Sequence, residues 1–96
     1  MVRSFADKLT ADVFYGEQGA RARRVPADVM RAVSRKLAQL DAAVRLDDLR
    51  MPPDNRLEAL KGDRAGSCSI RVNDQWRIVF RWEADGAHRV QLTDDH

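Results

Sequence analysis

The stretch Leu57–Trp82, LEALKGDRAGSCSIRVNDQWRIVFRW, contains two runs in which apolar and polar residues alternate. Such alternation is typical of strands with one buried face, because successive side chains point to opposite faces of a sheet. The positions expected to face the core are Cys68, Ile70, Val72, Trp76, Ile78, Phe80 and Trp82. Asn73–Gln75 lies between the runs as a turn, so this stretch predicts an antiparallel hairpin.

A further strand is predicted between this hairpin and the end of the chain. Asp85-Gly86 is a strong hairpin signal, and His88, Val90 and Leu92 continue the apolar register after it. The C-terminal half therefore predicts an antiparallel meander, with His88 on its apolar side.

The N-terminal half has helical periodicity. Ser4 and Asp7 resemble a capping pair, which predicts a first helix from about Ala6 to Tyr15, ended by Gly16 and Gly19. Val2–Phe5 before it is either a short edge strand or the lead-in to that helix. A longer helix is predicted from about Pro26 to Ala43. Its apolar face consists of Val29, Val33, Leu37 and Leu40, and Arg31, Arg35 and Lys36 lie off that face.

Leu46 and Leu49 indicate one more short turn, which Pro52 and Pro53 stop. Together these patterns predict a single α+β domain spanning residues 1–96. Its two N-terminal helices pack on one face of a C-terminal antiparallel sheet, and the other face is left open to solvent.

Composition narrows the class of protein. The chain has 96 residues and a single cysteine, Cys68, which excludes an intramolecular disulfide and favours a reducing compartment. Cys68 lies in the strand pattern, so we interpret it as a packing residue and not as a nucleophile. No long apolar run and no signal-peptide pattern is present, so we expect a cytoplasmic protein that does not contact the membrane.

Arginine is the unusual feature, since 14 of the 17 basic residues are Arg, whose planar fork binds phosphate in a bidentate manner. Arg71, Arg77 and Arg81 are predicted on the open face, near Lys61 and Arg64. Two interpretations stay open. The cations either bind a polyphosphate such as RNA, or they fill solvated positions and pair with nearby Asp and Glu.

Metal-free RNA cleavage requires a base for the ribose 2′-OH, cations for the phosphate, and an acid for the leaving 5′-oxygen. The chain has two histidines, His88 and His96. His88 is in the apolar register and is interpreted as structural, whereas His96 is either a frayed end or lies at the rim of the arginine face. Neither a His or Cys pair at metal-binding spacing nor a glycine-rich phosphate loop is present, so no metal or cofactor is expected.

Several segments also carry a family resemblance. The segments SFAD (residues 4–7), LDAA (40–43), NRLEALKGDRAG (55–66) and SIRVNDQWRIVFRW (69–82), with the terminal Asp95-His96, resemble the HigB-type toxins of the RelE superfamily. That resemblance implies an endonuclease that cuts mRNA on the ribosome. It also implies a HigA-type helix-turn-helix antitoxin, through whose complex alone operator DNA is bound.

The resemblance assigns roles to residues. Lys61 and Arg77 match positions that bind the scissile phosphate, and Asp94 and His96 match the ends of the family's Asp-Tyr-His. Two positions depart from the family pattern. Glu58 stands where many members have histidine, and Asp95 replaces the tyrosine, which can stack on a base. We therefore expect weakened cleavage, with His96 and either Glu58 or Asp95 moving protons. The RNA backbone would be bound by Arg56, Arg64, Arg71 and Arg81.

Two other functions are compatible with the sequence. The first is a gyrase-poisoning toxin of the ParE type, in which the missing tyrosine is unsurprising, although Lys61, Arg77 and His96 are present together. The second is a toxin of low activity that acts mainly with its antitoxin in operon repression. Formation of RNA cleavage products distinguishes the mRNA endonuclease from both of these alternatives.

Overall fold

The computed structural model describes residues 1–17 and 22–94. Within them, the alternating C-terminal half forms an antiparallel sheet in the order β1-β2-β3-β4. The strands are β1 (Glu58–Ala59), β2 (Cys68–Arg71), β3 (Trp76–Glu83) and β4 (Gly86–Asp94). The helices are α1 (Lys8–Tyr15) and α2 (Ala27–Ala42), joined to the sheet by short 3-10 helices that include Leu46–Arg50 and Pro53–Asn55. The predicted α+β class is confirmed.

The core lies between the helices and one face of the sheet. Ile70, Ile78 and Phe80 are fully buried, and Cys68, Trp76 and Trp82 pack against them at the margin. From α2, the predicted apolar face is buried as a whole and comprises Val29, Val33, Leu37 and Leu40. No helix within residues 1–17 and 22–94 is long and apolar enough to cross a membrane.

Helix α1 begins two residues later than predicted, because Asp7 and not Ser4 is its N-cap. The Asp7 carboxylate accepts a hydrogen bond from the Thr10 backbone N–H at 2.9 Å. Ser4 has another partner, since its hydroxyl oxygen accepts a hydrogen bond from the Arg89 backbone N–H at 2.9 Å. Gly16 ends the helix in the left-handed conformation (φ 72°), as predicted, whereas Gly19 lies outside the described residues.

The N-terminal segment is an edge of the sheet. Val2 and Phe5 form isolated parallel bridges with Ala87 and Val90 of β4. Of the two alternatives for this segment, the edge strand is therefore correct, although it is reduced to two bridges.

The predicted register of His88 is wrong, because β4 contains a bulge. The pairing of β3 with β4 shifts between Val79–Gln91 and Arg81–His88. Arg89, within the shift, has a positive φ of 52°. The extra residue moves Ala87 into the core and puts His88 opposite Arg81 on the other side, half-buried. There His88 Nε2 lies 2.6 Å from Asp85 Oδ1, and this hydrogen bond lowers the pKa of Asp85.

Lys36 was predicted to lie off the apolar face, but its side chain is only 2% exposed. Its Nζ donates to the Oδ1 of Asn55, which is fully buried, and lies 3.4 Å from Asp54 Oδ1. The Asn55 amide in turn donates to Gln39 Oε1 at 3.3 Å and to the Leu49 carbonyl at 3.1 Å. This polar cluster attaches the segment before β1 to α2.

Candidate functional site

The sheet face opposite the helices contains a cavity of about 190 Å³. It is lined by Glu58, Leu60, Arg64, Ser69, Arg77, Val79 and Thr93. The lining comes from β1, β2, β3 and β4 and from the connection after β1, so the complete sheet is needed to form it.

Arg77 is the most firmly held cation of this cavity, with a side chain that is 15% exposed. Its Nε and Nη2 donate to Ser69 Oγ at 2.9 and 2.7 Å. Nη2 also donates to the Arg56 carbonyl at 3.2 Å and to Glu58 Oε2 at 3.4 Å. Nη1 has no hydrogen bond to a described residue. One edge of the guanidinium is thus fixed by the protein, whereas Nη1 keeps its donor capacity.

Backbone conformation brings the Arg56 carbonyl to this position. Arg56 ends the 3-10 helix Pro53–Asn55 in the left-handed region (φ 46°), and its N–H donates to the Pro53 carbonyl at 3.2 Å. The preceding residue, Asn55, is held by the buried cluster with Lys36. The geometry at Arg77 therefore depends on a segment anchored to α2. The Arg56 side chain is exposed.

Glu58 is opposite Ser69 in the β1–β2 register, which places its carboxylate beside Arg77. The Glu58 side chain is 63% exposed, so an incoming ligand can reach it. A solvent-accessible carboxylate beside a guanidinium can act as a proton acceptor for a group that the guanidinium binds.

The remaining predicted cations differ in how far they are neutralised. Lys61, Arg64 and Arg81 are exposed and form no ion pair with a described residue. Arg64 lines the cavity, whereas Lys61 lies in the connection after β1 and Arg81 lies farther along β3. Arg71, in contrast, is 26% exposed and donates to the Asp74 carboxylate. Pairing with nearby carboxylates therefore describes Arg71, and in part Arg77, but not the other three.

The end of β4 reaches the same cavity. Thr93 is opposite Arg77 in the β3–β4 register and lines the cavity. Asp94 is opposite Trp76, so its side chain is on the other face of the sheet, where it accepts a hydrogen bond from Gln75 Nε2 at 3.0 Å. Asp95 and His96 lie outside the described residues.

Four residues of the cavity were not singled out from the sequence as site residues: Leu60, Ser69, Val79 and Thr93. Alternation predicted Ser69 and Val79 on the open face of the sheet, together with Arg77, and this was the sequence signal that could have identified them. Their roles depend on the register of neighbouring strands, which alternation does not specify.

Neither a metal cluster nor a reactive thiol emerges from the described part of the chain. No group of three or more His, Cys, Asp or Glu side chains there is arranged to hold a metal ion. Burial raises the pKa of the Cys68 thiol, which favours the uncharged form and agrees with a packing role.

Comparison with known proteins extends the resemblance seen in the sequence. A family model described as the RelE-like toxin of the type II toxin-antitoxin system HigB matches residues 3–96. The chain is 45% identical to Toxin HigB-1 of Vibrio cholerae serotype O1 over 96 residues, which are 100% of this chain and 98% of the relative. It is 32% identical to Endoribonuclease HigB of Proteus vulgaris over 96 residues, 100% of both chains. The chain therefore belongs to the HigB family of RelE-like toxins of type II toxin-antitoxin systems.

Proposed function

We propose that this toxin is an endoribonuclease that acts in the cytoplasm and inhibits translation by cutting mRNA on the ribosome. The observation that carries the proposal is the Arg77 guanidinium, fixed along one edge in a cavity that also presents Glu58 and Arg64. The name of the Proteus vulgaris relative, an endoribonuclease, supports the same reaction class.

The site binds the scissile phosphate through cations. Arg77 uses its Nη1 to contact a phosphate oxygen, and Lys61 approaches from the connection after β1. Both charges stabilise the pentacovalent phosphate, whose negative charge exceeds that of the starting diester. Because the Arg77 guanidinium is held by Ser69 before RNA arrives, little reorganisation of this group accompanies the reaction.

The 2′-OH of the ribose is the nucleophile in this mechanism, and no metal is required. Glu58 or Asp95 accepts its proton, and His96 donates a proton to the leaving 5′-oxygen. Asp94, on the other face, supports the strand end that carries these two terminal residues. Aspartate at position 95 cannot stack on a base and places a negative charge beside the phosphates, so cleavage is slower than with tyrosine.

Other cations bind the RNA backbone around the cavity. Arg56, Arg64 and Arg81 are exposed and make the stronger contacts. Arg71 contributes less, because binding RNA requires it to leave Asp74.

The antitoxin partner is of the HigA helix-turn-helix type, and it supplies all contact with operator DNA. Its binding surface on the toxin is basic and lies on the helical side. Arg31 and Arg35 on α2 and Arg23 and Arg24 before it are exposed and form no ion pair with a described residue. Arg21, in the same basic segment of the sequence, lies outside the described residues. An acidic antitoxin segment bound there leaves the Arg77 cavity open, on the opposite face of the sheet.

The reaction is tested with purified toxin, ribosomes and a defined mRNA. The expected products carry a 2′,3′-cyclic phosphate on one fragment and a 5′-OH on the other, and they form equally with excess EDTA once ribosome integrity is controlled by crosslinking. The Arg77→Ala variant should not form them. Products with 5′-phosphates that depend on added magnesium would contradict the mechanism. Gyrase-linked DNA breaks without RNA cleavage would identify a gyrase poison.

A further inference from the structure

Ser69 is fully buried although it is on the face of the sheet away from the core. Its partners in the register are Glu58 on β1 and Val79 on β3, so Arg77 is its diagonal neighbour. The long Arg77 side chain reaches back along this diagonal, and its guanidinium ends on the serine hydroxyl.

We propose that Ser69 is a positioning residue that fixes the direction of the Arg77 guanidinium for phosphate binding. The inference rests on the proposed function, in which Arg77 binds the scissile phosphate. Ser69 itself does not touch the RNA.

The hydrogen bonds favour Ser69 over the other acceptors. Its Oγ accepts hydrogen bonds from both Nε and Nη2, at 2.9 and 2.7 Å, and two donors that converge on one acceptor fix the direction of that edge of the guanidinium. Glu58 Oε2 is farther away at 3.4 Å and largely exposed, and the Arg56 carbonyl at 3.2 Å receives Nη2 alone. Loss of Ser69 Oγ therefore leaves Nε without an acceptor among the described residues.

A neutral acceptor also suits the chemistry. A carboxylate at this buried position would neutralise Arg77 and weaken its attraction for phosphate, whereas a hydroxyl orients the guanidinium and preserves its charge. The arginine side chain is otherwise flexible. Holding its guanidinium in place before RNA binds is therefore expected to raise the rate of the chemical step more than the affinity for RNA.

The test compares Ser69→Ala and Ser69→Val, which remove the hydroxyl, with Ser69→Thr, which keeps it on a strand-compatible side chain. Ser67→Ala is the matched control, because Ser67 precedes β2 by one residue and its side chain has no hydrogen bond to a described residue. If Ser69→Ala has a folding defect, the comparison of Ser69→Val with Ser69→Thr still isolates the hydroxyl, since Val and Thr have nearly the same shape.

Each variant is assayed for kcat and KM in the ribosome-dependent reaction. The Arg77 Nε–H signal is followed by 15N NMR of the free toxin, with its assignment from Arg77→Lys.

We expect kcat to fall by about 10- to 100-fold in the Ala and Val variants, with KM changed less, because a misplaced group of this kind costs up to about 100-fold in rate. The Arg77 Nε–H signal should broaden or shift toward that of free arginine. Thr should restore both readouts, and Ser67→Ala should match the parent protein.

The inference would be overturned if Ser69→Val kept the kcat of the parent protein, or if the Arg77 Nε–H signal were unchanged in both Ser69→Ala and Ser69→Val. The Arg77→Ala variant separates this failure from that of the proposed function. If Arg77→Ala is inactive while Ser69→Val is fully active, only the role of Ser69 is wrong. If Arg77→Ala cleaves normally, the phosphate-binding role of Arg77 is wrong, and the role of Ser69 in catalysis is overturned with it.

Discussion

Thr93 on β4 is directly opposite Arg77 on β3, and its hydroxyl donates to the Arg77 carbonyl at 3.4 Å. The chain therefore passes beside the phosphate-binding candidate just before its last three residues. This relationship connects the resemblance, which implicates the C-terminal Asp94, Asp95 and His96, with the cavity built by the other strands.

Replacing Arg77 by lysine tests whether the planar fork matters beyond its charge. We expect kcat to fall by about 100- to 1,000-fold, comparable to removal of a transition-state donor, because an ammonium group cannot reproduce both Ser69 contacts and the phosphate contact. The control is Arg50→Lys, since Arg50 is 67% exposed and pairs with Asp47 outside the cavity. Equal activity of Arg77→Lys and the parent protein would show that charge alone is sufficient.

Arg64 and Arg71 should differ in their contribution to RNA binding. Arg64→Ala should lower affinity and reduce the salt dependence by close to one phosphate contact, about 0.7 in the slope for single-stranded RNA. Arg71→Ala should change the slope less, because Arg71 is already paired with Asp74. Asp74→Ala frees Arg71 and should tighten binding. Fluorescence anisotropy with a labelled RNA at several salt concentrations measures these slopes, and equal slopes for the two alanine variants would contradict the ranking.

Asn55 should be important for stability because it is the closest acceptor for the buried Lys36 ammonium. Asn55→Ala leaves the Lys36 ammonium with only the more distant Asp54 among the described residues and removes the side-chain donor to the Leu49 carbonyl, so we expect the free energy of unfolding to fall by about 1–3 kcal/mol. Asp54→Ala is the matched control. Asp54 is 65% exposed and 3.4 Å from Lys36, so its loss should cost about 1 kcal/mol or less. Urea denaturation of both variants checks the difference, and equal destabilisation would refute the cluster's role.

Asp48 makes stability depend on acid pH. Its carboxylate accepts hydrogen bonds from the backbone N–H groups of Arg45 and Val44, both at 2.9 Å, and these lower its pKa. The folded pKa is thus below the unfolded one. The stabilisation is present above about pH 4 and is lost as the pH falls through the pKa of Asp48 in the folded protein.

In Asp48→Asn the urea midpoint should fall less between pH 5 and pH 3 than in the parent protein. Glu83→Gln, which removes an exposed carboxylate without a hydrogen bond to a described residue, is the control. An unchanged acid dependence in Asp48→Asn would contradict the assignment.

The sequence predicted what depends on local periodicity. Alternation placed Ile70, Ile78 and Phe80 in the core and Arg77 on the opposite face, and the 3.6-residue period identified α2 almost to the residue. These features follow from burial of one face of each element, which a single chain records directly.

The errors arise from contacts between distant residues. Lys36 is buried because Asn55, 19 residues later, supplies an acceptor, and helical periodicity cannot anticipate that partner. The bulge at Arg89 puts His88 on the opposite face of the sheet. The sequence did not predict this bulge, because a positive φ at arginine has no sequence signal. In the sequence, Ser69 cannot be distinguished from any other polar strand residue. Only the strand register shows that it is the diagonal neighbour of Arg77.

The central claim is that this chain cuts translated mRNA with a site completed by its C-terminus. The most direct test is primer-extension mapping of mRNA 5′ ends in cells after induction of the parent chain, His96→Ala, Arg77→Ala and Asp95→Tyr. We predict cuts within translated frames for the parent chain, stronger cuts for Asp95→Tyr, and none for His96→Ala or Arg77→Ala. Absence of cuts in the parent and in Asp95→Tyr, or undiminished cuts in His96→Ala and Arg77→Ala, would contradict the claim.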